Sequence, residues 1–397
     1  MKQLGLLIRL IAGIIAGTVI GLAGGWLGLA DSAGFIAIIR AFATFTSLFS
    51  TFLSFMIPLI IIAFVTVGMA ELGKKANRLF LLTLALAYGT TVLSGFITFF
   101  IGRAALPTLI QPITGDVLES NAFAPFFTIE IDPVFGVMTA LVLSFVLGIG
   151  MANLHGNAML NVFRDLQKIV SGVLARIIIP LIPIHIAGLF AGIAAEGRLF
   201  ATIRMFASLF FIILALQLLY IFSQFVLASA VCRKNHIKSM KNVIPAYFTA
   251  LGTQSSASTI PIALGCAYNN HVSRDVADFV VPLCATINLN GDTICLTLGS
   301  MGIMLASGIE PTFAAFAPFI MMLGVTMVAA PGVPGGGVMS ALGLITSMLG
   351  FTEPMQQLII ALHFSQDSFG TATNVTGDQA IALIVDKFDN AGSGHIR

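Results

Sequence analysis

An all-α membrane protein with eight transmembrane helices and two re-entrant helical hairpins is the fold class the sequence predicts, and three observations carry it. The 397 residues are 57% hydrophobic and only 9% charged, against about 25% charged in an ordinary soluble domain. The apolar runs reach about 20 to 30 residues, enough to cross the hydrocarbon layer as helices and too long for barrel strands. Two further apolar stretches are broken near their middles by sequence that cannot continue a helix. Non-helical backbone persists at membrane depth only where it is buried in protein or lines a cavity.

Taken in order, spans are expected at about 5–29, 35–70, 79–102, 133–153, 169–194 and 205–231, then at about 276–307 and 354–386. The first follows Lys2 but is too long for a signal-peptide core and lacks a small-residue cleavage site, so it reads as a retained span. Stretches 35–70 and 160–196 exceed the ~20 residues a crossing needs and are expected to tilt or extend beyond the bilayer. With both termini cytoplasmic, fourteen of the 19 Lys and Arg fall inside, while Arg40, Arg103, Arg198 and Arg204 fall outside and Arg176 lies mid-span. That excess of inside cations is the usual topogenic signal. The four cysteines (Cys232, Cys266, Cys284, Cys295) have no metal-ligand spacing and read as small buried residues.

Alternation of sides works only if the two broken stretches enter and leave on one side each. The first, about 243–270, carries Thr253-Gln254-Ser255-Ser256-Ala257-Ser258-Thr259. The second, about 310–350, carries Ala330-Pro331-Gly332-Val333-Pro334-Gly335-Gly336-Gly337. Two hairpins entering from opposite faces are what an inverted repeat produces, an architecture typical of secondary transporters, and their tips are expected to meet near a site.

The last span carries the polar face that needs explaining. His363, Asp367, Gly370, Thr371, Asn374 and Asp378 fall at i, i+4, i+7, i+8, i+11 and i+15, one side of one helix. Carboxylates at that depth cost several kcal/mol unless they face protein or water. A bound cation or ammonium supplies the compensation; satisfaction by neighbouring helices is the plainer alternative. A further cluster, Thr286-Ile287-Asn288-Leu289-Asn290-Gly291-Asp292-Thr293, interrupts the seventh span. Amide oxygens, carbonyls freed around a glycine and a carboxylate are hard ligands suited to an alkali cation.

Other classes lack their parts. Intramembrane aspartyl proteolysis needs a glycine where Leu289 stands and a tyrosine-aspartate partner that is missing, and the histidines nearest Ser255 and Ser256 in sequence, His236 and His271, read as cytoplasmic. Inside Lys and Arg are spread over short loops, which gives no nucleic-acid surface, and no phosphate-cradling motif is present, so an ion gradient and not ATP is the expected energy source. No organic cofactor is implied.

Four motifs, in order and spacing, resemble one family. They are the serine-rich 254–258 tip followed by Thr259-Ile260-Pro261, the run Pro282-Leu283-Cys284-Ala285-Thr286-Ile287-Asn288-Leu289-Asn290-Gly291, the Gly332-Val333-Pro334-Gly335 tip, and Asn374-Val375-Thr376-Gly377-Asp378. The family is the dicarboxylate/amino acid:cation symporters, which include the glutamate transporters. The likeness covers the C-terminal half well, while the N-terminal spans match mainly in number and length. It implies a homotrimer in the inner (plasma) membrane, surrounded by lipid. Scaffold helices in 1–75 and 133–200 would hold a mobile transport domain built from 76–132 and 201–397, which carries a small amino acid and sodium together by an elevator movement, with the hairpin tips as gates.

Carried over residue by residue, the resemblance implies that Asp378 supplies the carboxylate of one sodium site, with carbonyls of Cys284, Asn288 and Asn374 around it. A second sodium would lie near Thr286 and the backbone of about 327–330. Asp367 would accept the substrate ammonium, with Thr371 beside it. The Asn374 amide, the Ser255–Ser256 backbone and the Gly332–Val333 tip would donate to the substrate carboxylate. The departures from the family pattern concern charge. Gly370 stands where acidic-substrate members have an arginine, and Asp292 where a threonine is usual. Loss of a cation and gain of an anion imply that acidic substrates are poor and that a neutral, polar amino acid of serine, threonine, alanine or cysteine type is carried. A basic or larger neutral amino acid, in part proton-coupled, is the second reading, and a passive anion channel a distant third. Alternatively, His363 pairs with Asp292 and neutralises it. Asn290 replaces an aspartate of the third sodium site, where Thr90 and Thr91 supply hydroxyls, so that site is expected to be weak or absent unless Asp292 serves it.

Overall fold

Long apolar runs become long helices here. The computed structural model describes residues 4–74, 78–112, 123–328, 330 and 334–393, and among them the chain is all-helical with no strand. The order is α1 Leu4–Trp26, α2 Ala33–Lys74, α3 Arg78–Leu109, α4 Val137–Asn153, α5 Ala158–Val173, α6 Ile179–Ala195 and α7 Leu199–Cys232. There follow α8 His236–Thr253, α9 Ser256–Asn269, α10 Arg274–Ile287, α11 Asn290–Ala306, α12 Phe313–Met327, α13 Gly336–Leu349 and α14 Glu353–Ser393.

Among the described residues, six stretches are long and apolar enough to cross a membrane: Ile8–Trp26, Ala33–Glu71, Leu79–Leu109, Ala158–Ala195, Leu199–Cys232 and Arg274–Ala306. The chain is a multi-pass membrane protein. Two expected spans differ in character. α4 is only 17 residues and starts at Val137, later than 133, because the segment before it is tied to α2: Phe126 N–H donates to Thr44 Oγ1 at 2.8 Å, and the Arg40 guanidinium lies 4.5 Å from the Phe126 ring centre. α14 runs 41 residues and is not uniformly apolar, since it carries the polar stripe.

Helices α1, α2 and α4 to α6 pack mostly on one another, α3 and α7 to α14 likewise, and α13 reaches across to α2 and α4. The α1–α6 contact is made by glycines spaced by four. A β-carbon on Gly17 would lie 2.1 Å from the Ala187 carbonyl oxygen, and Gly13 and Gly21 approach Pro183 and Ala191 in the same way. Small residues that let two backbones touch are the usual glue between membrane helices. Between α5 and α6 the chain makes one π-helical turn, Leu174–Ile178. Pro180 and Pro183 follow it; their missing N–H groups break the regular ladder, and the chain widens.

Two hairpins and the last helix position the site. The pairs α8–α9 and α12–α13 form helical hairpins, and α14 packs against α7, α8, α9, α10, α11 and α13. Every residue of the polar stripe therefore meets a neighbouring element.

Candidate functional site

At the first tip, α8 ends on Gln254, which adopts left-handed backbone (φ 52°), and Ser255 caps α9 by accepting from the Ser258 N–H at 3.3 Å. Serine is a natural residue at that position because its hydroxyl satisfies a free helix amide. Gln254 reaches α14, donating from Nε2 to Ser368 Oγ at 2.6 Å. At the second tip, the Gly335 N–H donates to Asp367 Oδ2 at 3.1 Å. Adjacent residues of α14, Asp367 and Ser368, thus receive one hydrogen bond from each tip.

The seventh span breaks as the sequence predicts. Asn288 is extended (φ −116°, ψ 92°) and Leu289 is non-helical (φ −115°, ψ 56°) between α10 and α11. The break frees amides at the start of α11, and Asn374 takes one of them, its Oδ1 accepting from Gly291 N–H at 2.8 Å. Asp292 lies in the first turn of α11, where the helix dipole favours an anion. Its Oδ1 is 2.8 Å from His363 Nε2 and its Oδ2 accepts from Asn374 Nδ2 at 2.6 Å. Gly337 closes over it, since a β-carbon there would lie 2.2 Å from Oδ1. Asp292, His363 and Asp367 are 5%, 1% and 6% exposed.

A polar layer follows along α14. Asn288 Nδ2 donates to Asp378 Oδ1 at 2.9 Å, Thr90 Oγ1 donates to Asn288 Oδ1 at 3.4 Å, and the Tyr220 hydroxyl donates to the Thr90 carbonyl at 2.5 Å. A β-carbon on Gly377 would sit 3.2 Å from Asn288 Nδ2, 3.3 Å from Asn290 Nδ2 and 2.9 Å from Gln224 Oε1. Thr91 and Cys284 are fully buried, and the Cys284 carbonyl accepts the Asn288 N–H at 2.9 Å.

The structure brings Ser256, Thr286, Asp292, Asp367, Thr371 and Asn374 around one small cavity. Thr286 lies in that cavity wall near Ala330, its hydroxyl donating to the Leu283 carbonyl at 2.8 Å. Ser255 acts through the cap. Gly332 and Val333 lie outside the described residues. Gly370, expected on the substrate side of α14, is not in the cavity lining: it faces Gly291 and Gln217, with a β-carbon 3.6 Å from Gly291 C and 3.8 Å from Gln217 Nε2. Of the two readings of Asp292, the pair with His363 is the one found.

Sequence reasoning missed Gln217, whose Nε2 donates to the Gly291 carbonyl at 3.1 Å, and Gln224, while Gln254 and Gly337 lie in the two expected tips but were given no separate role. A signal was present for two of them. Gln217 and Gln224 are seven apart in an otherwise apolar span, hence on one helix face.

A family model described as the sodium:dicarboxylate symporter family matches residues 6–388. The chain is similar to excitatory amino acid transporter 1 of Homo sapiens, 28% identical over 298 residues, covering 70% of this chain and 53% of the relative. It is 31% identical over 253 residues to excitatory amino acid transporter 1 of Ambystoma tigrinum, 61% of this chain and 45% of the relative. The chain spans about half the length of these curated relatives.

Proposed function

The chain belongs to the sodium:dicarboxylate symporter family, and on that premise we propose that it is a sodium-coupled secondary symporter of a neutral, polar amino acid of serine, threonine, alanine or cysteine type. The observation that carries this reading is the meeting of both hairpin tips on Asp367 and Ser368. A buried carboxylate between two gates is an acceptor for a substrate ammonium, a charge-assisted hydrogen bond of the stronger kind. The relatives' names speak of excitatory amino acid transport; the side-chain subsite proposed here differs from one built for an anion. No Arg or Lys stands among the described residues around the cavity, which instead holds Asp292 and Asp367. An acidic side chain would find no cation there to pair with. A basic side chain gains little, because Asp292 is already engaged by His363 and Asn374.

Asp378, Asn288, Asn374 and the Cys284 carbonyl form the first sodium site of this reading, and Thr286 with the second tip forms the other. Ser255 and Ser256 belong to the substrate carboxylate site of this reading, to which the resemblance also assigns Gly332 and Val333, outside the described residues. Helices α1, α2 and α4 to α6 act as scaffold and the remainder as the moving domain of an elevator, in a homotrimer embedded in lipid of the plasma membrane with both termini cytoplasmic. The sparse packing between the two helix groups supports that division. The test is uptake in liposomes: with an inward sodium gradient, labelled serine accumulates above equilibrium, which a channel cannot achieve. Competition by glutamate or aspartate stronger than by serine overturns the substrate class, and uptake indifferent to sodium overturns the coupling.

A further inference from the structure

Besides its place in transport, the cluster around His363 has the chemistry of a metal site. Asp292, His363 and Asp367 each offer one ligand atom, and the three atoms lie within 4.8 Å of one another; among the described residues they are the group of His, Cys and acidic side chains so arranged. His363 and Asp367 are one helical turn apart on α14, the spacing at which two side chains converge on one point, and Asp292 faces them from the first turn of α11. All three are more than nine-tenths buried.

The carboxylates are held from behind. Asn374 Nδ2 fixes Asp292 through Oδ2, and the Gly335 N–H fixes Asp367 through Oδ2. Anchoring of ligand carboxylates by outer donors is how metal sites set their geometry. The cluster sets two carboxyl groups against one imidazole, and no Lys or Arg stands among the described residues around the cavity.

We propose that this triad binds a first-row divalent cation of zinc type, in competition with the amino acid. An imidazole beside two carboxylates selects such ions over sodium, magnesium and calcium, which prefer oxygen alone. Bonds of about 2.0–2.2 Å in a tetrahedral arrangement put ligand atoms roughly 3.4 Å apart. The His363–Asp292 contact, now 2.8 Å, has to open by only about half an ångström, the metal replacing the shared proton. Because Asp367 is both the third ligand and the proposed ammonium acceptor, metal and substrate exclude each other.

The test uses the full-length protein, freed of metal by chelator and titrated with zinc chloride by calorimetry. One zinc per protomer is expected, with at least tenfold weaker binding in His363→Gln and Asp292→Asn and unchanged binding when the exposed His155 and His271 are replaced by Ala. Serine uptake falls as zinc saturates and recovers with chelator. Anomalous scattering at the zinc edge, measured on wild-type protein, gives a peak between the three side chains and does not depend on the variants folding. No binding to wild type, or binding that survives both replacements, overturns the inference. Sodium-dependent serine binding in chelator separates this from the transport reading: serine without zinc sinks only the metal site, and zinc without serine sinks only the transport assignment.

Discussion

Asn374 bonds to both Gly291 and Asp292, its Oδ1 accepting the Gly291 N–H at 2.8 Å and its Nδ2 donating to Asp292 Oδ2 at 2.6 Å. One side chain of α14 thereby finishes the broken end of α11 and fixes the carboxylate beside it. Asn374→Ala leaves a buried amide and a buried carboxylate oxygen without that partner, at about 1–3 kcal/mol each. Thermal unfolding of the purified variant is expected to shift down by several degrees, and sodium-dependent serine binding to be lost. An unchanged midpoint would mean that the bridge contributes nothing to holding the break.

Gly335 is required twice over. Its φ is 73°, and a β-carbon would lie 2.1 Å from Phe364 Cζ. Gly335→Ala is expected to cost about 1–3 kcal/mol, through left-handed backbone and displacement of the ring, and to weaken serine affinity by pulling the amide from Asp367. Adding Phe364→Leu relieves the clash but not the backbone cost. Recovery of stability to the wild-type level in the double variant would therefore contradict the φ reading.

Much of this was legible because membrane burial makes polarity expensive. The α14 stripe, the two broken hairpins and the interruption at Asn288–Leu289 stand out against apolar sequence, and each is found as a helix face, a tip or a break. Pair geometry was less legible. His363 and Asp292 are 71 residues apart, so their contact depends on how α11 crosses α14. That crossing is set by Gly291 against Gly370, where a β-carbon on Gly291 would lie 2.3 Å from the Gly370 carbonyl oxygen. Spacing along one helix says which residues share a face, not which neighbour the face meets, so Gly370 shares the polar face yet lies in the crossing. The π-helical turn has only its two prolines as a signal.

The same crossing decides what a longer side chain does at position 370. Gly370→Ala meets only ordinary contacts at 3.6–3.8 Å and is expected to fold with serine binding within about twofold of wild type, a change under 0.5 kcal/mol. Gly370→Arg drives a guanidinium into Gly291 and Gln217 and is expected to lower the unfolding midpoint without creating glutamate binding, since overpacking costs about 1–3 kcal/mol or more. Glutamate binding by a stably folded Gly370→Arg would show that the helix can rotate to present this position to the cavity.

Asn290 gives the sharpest test of ion number. It is fully buried, neither amide atom has a hydrogen-bond partner, and it stands beside Asn288 near Gly377, with Asp378 paired to Asn288. A neutral amide there gives a cation oxygen but no charge. Asn290→Asp adds a buried carboxylate that costs several kcal/mol when unpaired, and a bound sodium is what offsets it. The variant is therefore expected to be less stable than wild type without sodium and to gain more stability as sodium is added, because a ligand that binds only the folded state raises its stability with concentration. Its serine uptake should also depend more steeply on sodium, by close to one further ion. Equal sodium-induced stabilisation in the two proteins would mean that no cation is held at position 290, and the proposed sodium coupling would then rest on the sites around Asp378 and Thr286 alone.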